Sequence, residues 1–204
     1  MVEIGIEEQR IVLSPDPVPV VISEATVPLE RPEAAAGKAL LLYSGNWGVA
    51  HDYRTFLEAY RQHHREGTGG VVLWLNAVGA AVGQIETFLR DENLPYLRSE
   101  PLPLEQLASL LITPDAHLIT LSDAFVGYVL PSKVHGCIAS KKPILFIGSN
   151  RSDVHRLCQH GAAGYHRVSV GDMLGCIAAL EHLAKDSKQQ KKSGDVQASV
   201  RSQC

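Results

Sequence analysis

The residues best suited to chemistry fall in three short segments, of which the first two suit the binding of an anion. Ser44-Gly45-Asn46-Trp47-Gly48 places two glycines three apart. Glycine lets the backbone approach a ligand closely and adopt positive φ, and successive amides in such a turn form a concavity for anions. The same residues also read as a tight turn into a helix. They lack the third glycine of a dinucleotide fingerprint and the Lys-Ser/Thr ending of a P-loop. His51 stands just beyond them. The second segment runs from Asp123 through Phe125, Gly127 and Pro131 to Ser132 and Lys133. Pro followed by Ser is a helix-start signal, with Ser132 at the N-cap or in the first turn. A first turn exposes unpaired amides and about half a positive charge. Lys133 adds an ammonium beside them, and the combination makes a phosphate site. The competing reading is a capped helix carrying a solvated lysine. The third segment, Ser149-Asn150-Arg151-Ser152-Asp153, offers a helix cap in Ser152 or Asp153 and an arginine that either reaches a cleft or is solvated.

Other chemistries find no support. Among the nine histidines, His63 and His64 are adjacent and cannot share a helix face, and His155 and His160 are five apart, off the spacing of helical metal pairs. No Asp, Glu, His or Cys cluster has zinc spacing. There is no Gly-x-Ser-x-Gly elbow, no cysteine placed beside a histidine base and no pair of carboxylates that stands out for acid–base work.

The elements that must position these segments alternate. Buried-strand signals at 39–43, 71–75, 96–97, 117–121, 144–147 and 165–168 are separated by apolar residues at helical spacing: Phe56, Leu57 and Tyr60; Ile85, Phe88 and Leu89; Leu104, Leu107 and Leu111; Val134, Cys137 and Ile138; Val154 to Cys158; Leu174 and Ile177. Alternation of this kind predicts βαβ units, an α/β fold with a Rossmann-like, doubly wound parallel sheet over residues 39–184. In such sheets ligands bind beyond the carboxyl ends of the strands, near the switch point, which is where the loops 44–51, 76–82, 98–103, 122–133 and 148–152 fall.

The flanks differ. Residues 1–38 carry prolines from Pro15 to Pro32 and read as an extended, linker-like segment with short strands near 11–13 and 18–22. Residues 185–204 carry almost no apolar side chains and read as a disordered polar tail. The whole is 204 residues, 45% hydrophobic and 20% charged, with mean hydropathy near zero, which suits one soluble domain plus flanks. Nineteen basic residues against 22 acidic ones give a net charge of -3, which argues against a dedicated nucleic-acid binder. Four cysteines without a Cys-x-x-Cys pair, and acids where a secretory leader needs positive charge, point to a reduced, cytoplasmic protein. No apolar run approaches the roughly 20 residues of a membrane span, leaving only peripheral membrane contact open.

The stretches Leu41-Leu-Tyr-Ser-Gly-Asn-Trp-Gly-Val-Ala-His51-Asp52, Leu130-Pro-Ser-Lys-Val-His-Gly-Cys-Ile-Ala-Ser-Lys-Lys-Pro-Ile-Leu145 and Gly171-Asp172 together resemble the carboxy-terminal half of a GT-B glycosyltransferase. The likeness is to family four, whose bacterial members make capsule, exopolysaccharide and lipid-linked sugars. It implies that this half binds a UDP- or GDP-linked sugar as donor for transfer to a glycan or lipid-linked acceptor, with no metal or other cofactor. By that resemblance Ser132, Lys133 and the amide of Val134 hold the diphosphate, and Gly45, Asn46 and Gly48 line it from the opposite strand end. Phe125 to Gly127 approach the sugar through backbone amides, and Arg98 to Pro101 lie near the base. Gly136 stands where many relatives carry an acidic residue that grips the ribose. Many relatives also carry an Arg and a Lys in the first loop, where this chain has Asn46 and His51, and by the resemblance Lys133, His51 and Arg151 are expected to rebuild that charge. The family's acceptor domain is expected from a separate chain, and a homo-oligomer is the other expected partner. Positioning an acceptor is worth about 7–11 kcal/mol of a barrier, so this half alone is expected to bind rather than transfer. The alternatives are a non-catalytic binding module derived from such an enzyme and a flavodoxin-like or other Rossmann nucleotide binder.

Overall fold

The first strand shows why the molecule is layered. β1 (Ala39–Asn46) sends Leu41 and Tyr43 into one buried cluster and Leu40 and Leu42 into another. A strand buried on both faces belongs in a sheet covered by helices on both sides. The computed structural model describes residues 20–201, with side chains through residue 189. After β1 come α1 (Arg54–Arg65), β2 (Val71–Val78), α2 (Val82–Asp91), β3 (Tyr96–Arg98), α3 (Leu104–Ile112), β4 (Ala116–Thr120), α4 (Lys133–Ala139), β5 (Ile144–Ile147), α5 (Asp153–Gly161), β6 (Tyr165–Val168) and α6 (Met173–Arg201). The six strands are parallel in the order β3-β2-β1-β4-β5-β6. This is the doubly wound sheet that the alternation predicts. Helices α1, α2 and α6 cover one face, and α3, α4 and α5 cover the other.

The chain reverses direction across the sheet between β1 and β4. That seam is narrow: β1 pairs with β2 at eight positions but with β4 only at Leu41–Ala116 and Leu42–His117. The carboxyl halves of β1 and β4 therefore leave a crevice at the switch point.

Strands β5 and β6 have the expected bounds. β1 and β2 each run three residues beyond their apolar runs, because Ser44-Gly45-Asn46 pairs in register with Asn76-Ala77-Val78. Gly45 and Asn46 thus belong to the strand and not to the loop after it. Side-chain caps start three of the helices: Asp52 accepts the Thr55 amide at 3.2 Å, Ser152 accepts that of His155 at 3.2 Å and Asp172 accepts that of Gly175 at 2.9 Å.

Both flanks depart from expectation. Residues 20–22 form no strand, and the strand expected near 11–13 lies outside the described residues. The segment 20–38 is extended but packed: Ala35 is fully buried, the Leu29 amide donates to Thr113 Oγ1 at 2.8 Å and Arg31 pairs with Asp115 at 2.6 Å. At the other end, helix α6 replaces the expected disordered tail through Arg201. Its apolar side, with Leu180, Leu183 and Ala184 buried, nucleates the helix, and the good helix formers Lys188 to Lys192 carry it on, each further residue adding one bond. No helix among the described residues is long and apolar enough to cross a membrane.

Candidate functional site

A cavity of about 200 Å³ opens at the switch point. Strand β1 contributes Leu42, Ser44 and Gly45, strand β4 contributes His117 and Leu118, helix α3 contributes Leu107 and Leu111, and the start of α4 contributes Ser132, Lys133, Gly136 and Cys137. Of the residues singled out from sequence, the structure brings Gly45, Ser132 and Lys133 together on this wall.

Lys133 is the only charged side chain in the lining. Its stem is partly exposed but its Nζ is buried and has no hydrogen-bond partner. The amine instead sits 3.2 Å from the centroid of the Tyr43 ring, a cation–π contact in its protonated form. Tyr43 is stacked from below by Trp47, with centroids 3.6 Å apart and planes 10° from parallel. Glycine at 45 permits this seat: its φ is +115°, and a Cβ there would lie 3.7 Å from Lys133 Cε. Burial without a partner disfavours the charged amine and pushes Lys133 down to about 7. The full positive charge expected from sequence at this spot is therefore only partly present at neutral pH.

His51 meets the edge of the same Tyr43 ring, with centroids 6.2 Å apart, and its Nδ1 donates to the Thr120 carbonyl at 2.6 Å. It does not line the cavity. Burial lowers its pKa; the Thr120 bond acts against that and Lys133 acts with it. Beneath the rim, Ser44 Oγ donates to Asn76 Oδ1 at 3.1 Å, and the buried Asn76 amide donates to Ser99 Oγ at 2.9 Å and to the Glu100 carbonyl at 2.6 Å. This network fixes the carboxyl ends of β1, β2 and β3 against one another. Nothing local in the sequence marks it, because its members lie 23 and 32 residues apart.

Several expected contributors stand elsewhere. The Val134 amide donates to Pro131 O at 3.1 Å and its side chain is core, so that amide is already satisfied. The Phe125 and Val126 amides close a short 3-10 turn, Asp123–Phe125, onto Ser122 and Asp123, and the Phe125 ring packs on the core. Gly127 is exposed, with φ +84°. Arg98 is held by the Leu75 carbonyl at 3.2 Å and by Glu86 and Glu100 on the β3 side of the sheet. The Asn46 amide lies against Gly79 and Gly48, and Arg151 is exposed. Ser132 occupies the cap position of α4, but its side chain caps nothing. At Gly136 a Cβ would lie 3.0 Å from Leu111 Cδ1, a tight contact between α3 and α4 that a larger residue relieves only by shifting the Leu111 side chain. Among the described residues no group of three or more His, Cys, Asp and Glu side chains is arranged to hold a metal ion.

No protein-family model and no curated protein sequence matches the chain. Solved structures do. The N-terminal domain of a Candida albicans trehalose-6-phosphate phosphatase superposes with a TM-score of 0.55 at 15% identity, over 76% of this chain and 37% of that one. Anabaena HepE, solved in complex with UDP-glucose, gives 0.57 at 13% identity over 76% of this chain and 41% of that one. The C-terminal domain of the glycosyl transferase group 1 family protein LpcC from Francisella tularensis gives 0.51 at 13% identity, over 83% of this chain and 90% of that one. The chain spans about two fifths of the length of the first two. Likeness at such low identity is a likeness of fold: the six-stranded parallel sheet and its helices share the Rossmann-like architecture of one half of a GT-B glycosyltransferase.

Proposed function

We propose that the chain is the donor-binding half of a glycosyltransferase, corresponding to the carboxy-terminal half, and that it holds the diphosphate of a UDP- or GDP-linked sugar at the β1–β4 crevice for transfer to a glycan or lipid-linked acceptor. The observation that carries this reading is the buried, unpartnered Lys133 amine in the cavity at the switch point. An orphaned buried polar group is costly, and an anion entering beside it supplies the missing partner. The Ser132 hydroxyl on the same wall adds a donor. HepE with UDP-glucose and the C-terminal domain of LpcC support the choice of ligand and of half. In such a site, positive charge beside the leaving diphosphate stabilises what develops in the transition state.

Titration calorimetry with UDP, GDP and ADP tests this. Lys133→Ala is expected to weaken UDP about ten- to a hundredfold, the range of a lost charge-assisted bond, and to leave uridine nearly unchanged. Equal losses for both would mean that Lys133 does not touch phosphate.

A second reading, a non-catalytic binding module of the same fold, is favoured by two details: the satisfied Val134 amide and the close Gly136–Leu111 contact. It expects neither sugar transfer nor donor hydrolysis. Co-purification with a separate acceptor domain that restores transfer would defeat it.

A further inference from the structure

Lys133 is surrounded by groups that cannot neutralise it. The Tyr43 ring on β1 carries its Nζ, and His51 stands at the edge of that ring. His117 on β4 donates its Nε2–H to the Leu111 carbonyl and Ser140 Oγ, at 3.0 and 2.9 Å, and burial holds it neutral. Cys137, one turn along α4, is kept a neutral thiol by burial, and α3 presents only Leu107 and Leu111. No carboxylate lines the cavity. An amine so placed is stable when neutral and becomes stable as an ammonium once an anion arrives.

We propose that Lys133 takes up a proton as a diphosphate enters the cavity, leaving the Tyr43 ring for the anion, so that filling this site is coupled to one proton. The proposal rests on the donor-binding reading above and adds its regulation. In the empty site the amine titrates at about 7; beside phosphate it returns towards the ordinary lysine value of about 10.4. The bound state therefore holds more protons between these values, and by linkage affinity falls as pH rises above about 7, at up to about tenfold per pH unit. Below about 7 the lysine is already charged and affinity levels off.

The test uses the full chain and UDP-glucose, whose diphosphate diester keeps its charge over this range. Calorimetry in two buffers of different ionisation enthalpy counts the protons. Expected at about pH 8.5 is uptake of close to one proton per UDP-glucose, shrinking towards none at about pH 6, together with a change in Trp47 fluorescence as Lys133 leaves the stacked Tyr43. Lys133→Met is expected to bind weakly with no uptake. Binding by the unaltered chain without proton uptake, and with flat affinity from about pH 7 to about 9, would overturn this proposal and leave the donor reading standing. No binding at any pH by a chain that circular dichroism shows folded would overturn both. Acetic anhydride labelling of Lys133 against pH, read by mass spectrometry, checks the empty site directly: a midpoint near 7 is expected, and one near that of an ordinary lysine would also overturn the proposal.

Discussion

At Gly45 the backbone turns to a φ of +115° inside a strand, directly beside the Lys133 stem. That conformation belongs almost to glycine alone, and a side-chain-bearing residue held there costs about 1–3 kcal/mol. Gly45→Ala is therefore expected to lower the unfolding free energy by about 1–3 kcal/mol, read from urea titration as a lower midpoint. The new methyl meets Lys133 Cε at an ordinary 3.7 Å, so the penalty is one of backbone rather than collision. Gly45 was legible as special from its glycine-rich surroundings. The seat it frames was not. Tyr43 reads in sequence as one more apolar residue of a buried strand, and nothing local connects it with Lys133, ninety positions away, or marks that lysine as hidden from water. Charge state is set by burial, and burial is a property of the fold.

Among elements, His117 ties β4 to the end of α3 and to Ser140 after α4. Complete burial holds its pKa down at about 4, against about 6.5 in an unfolded chain. Between those values the unfolded state binds more protons. The stability His117 contributes is thus fully present above about pH 6.5 and lost as pH falls towards 4, up to about 3 kcal/mol in all. Urea midpoints measured at about pH 7 and about pH 4.5 are expected to fall less in His117→Gln, which keeps a donor and cannot titrate. His64, also held at about 4 by burial, contributes to the slope that remains, as do the lowered His51 and His63. Element order and type were legible because strands buried on both faces and helices with one apolar side leave different periods in the sequence. The ends of β1 and β2 were not, since pairing through backbone groups is indifferent to the polarity of Ser44 and Asn46. The length of α6 escaped for a related reason: helix propensity, with no apolar pattern, extends it.

For the whole molecule, Asp115 is the knot that holds the leading segment to the domain. Its carboxylate accepts from Arg31 at 2.6 Å and from the Leu40 amide at 2.7 Å. Removing it leaves a guanidinium and a strand amide short of partners, so Asp115→Ala is expected to cost about 1–3 kcal/mol. Limited proteolysis is expected to cut between residues 20 and 38 sooner in this variant, with the sheet surviving as a resistant fragment. A segment rich in proline reads as a linker because its composition says nothing about a bond made to a residue more than seventy positions away.

The seam between β1 and β4, in register at two positions only, divides the sheet into two three-stranded plates. Helix α6 crosses that join, resting on β1 and β2 of one plate and on β6 of the other, and it is moored to α1 by the buried contact of His63 with Glu181. It works as a splint. The plates cannot hinge apart around a guest molecule unless the splint bends or lifts, so the crevice keeps its width, and accommodation falls to the one long, loosely held side chain inside it.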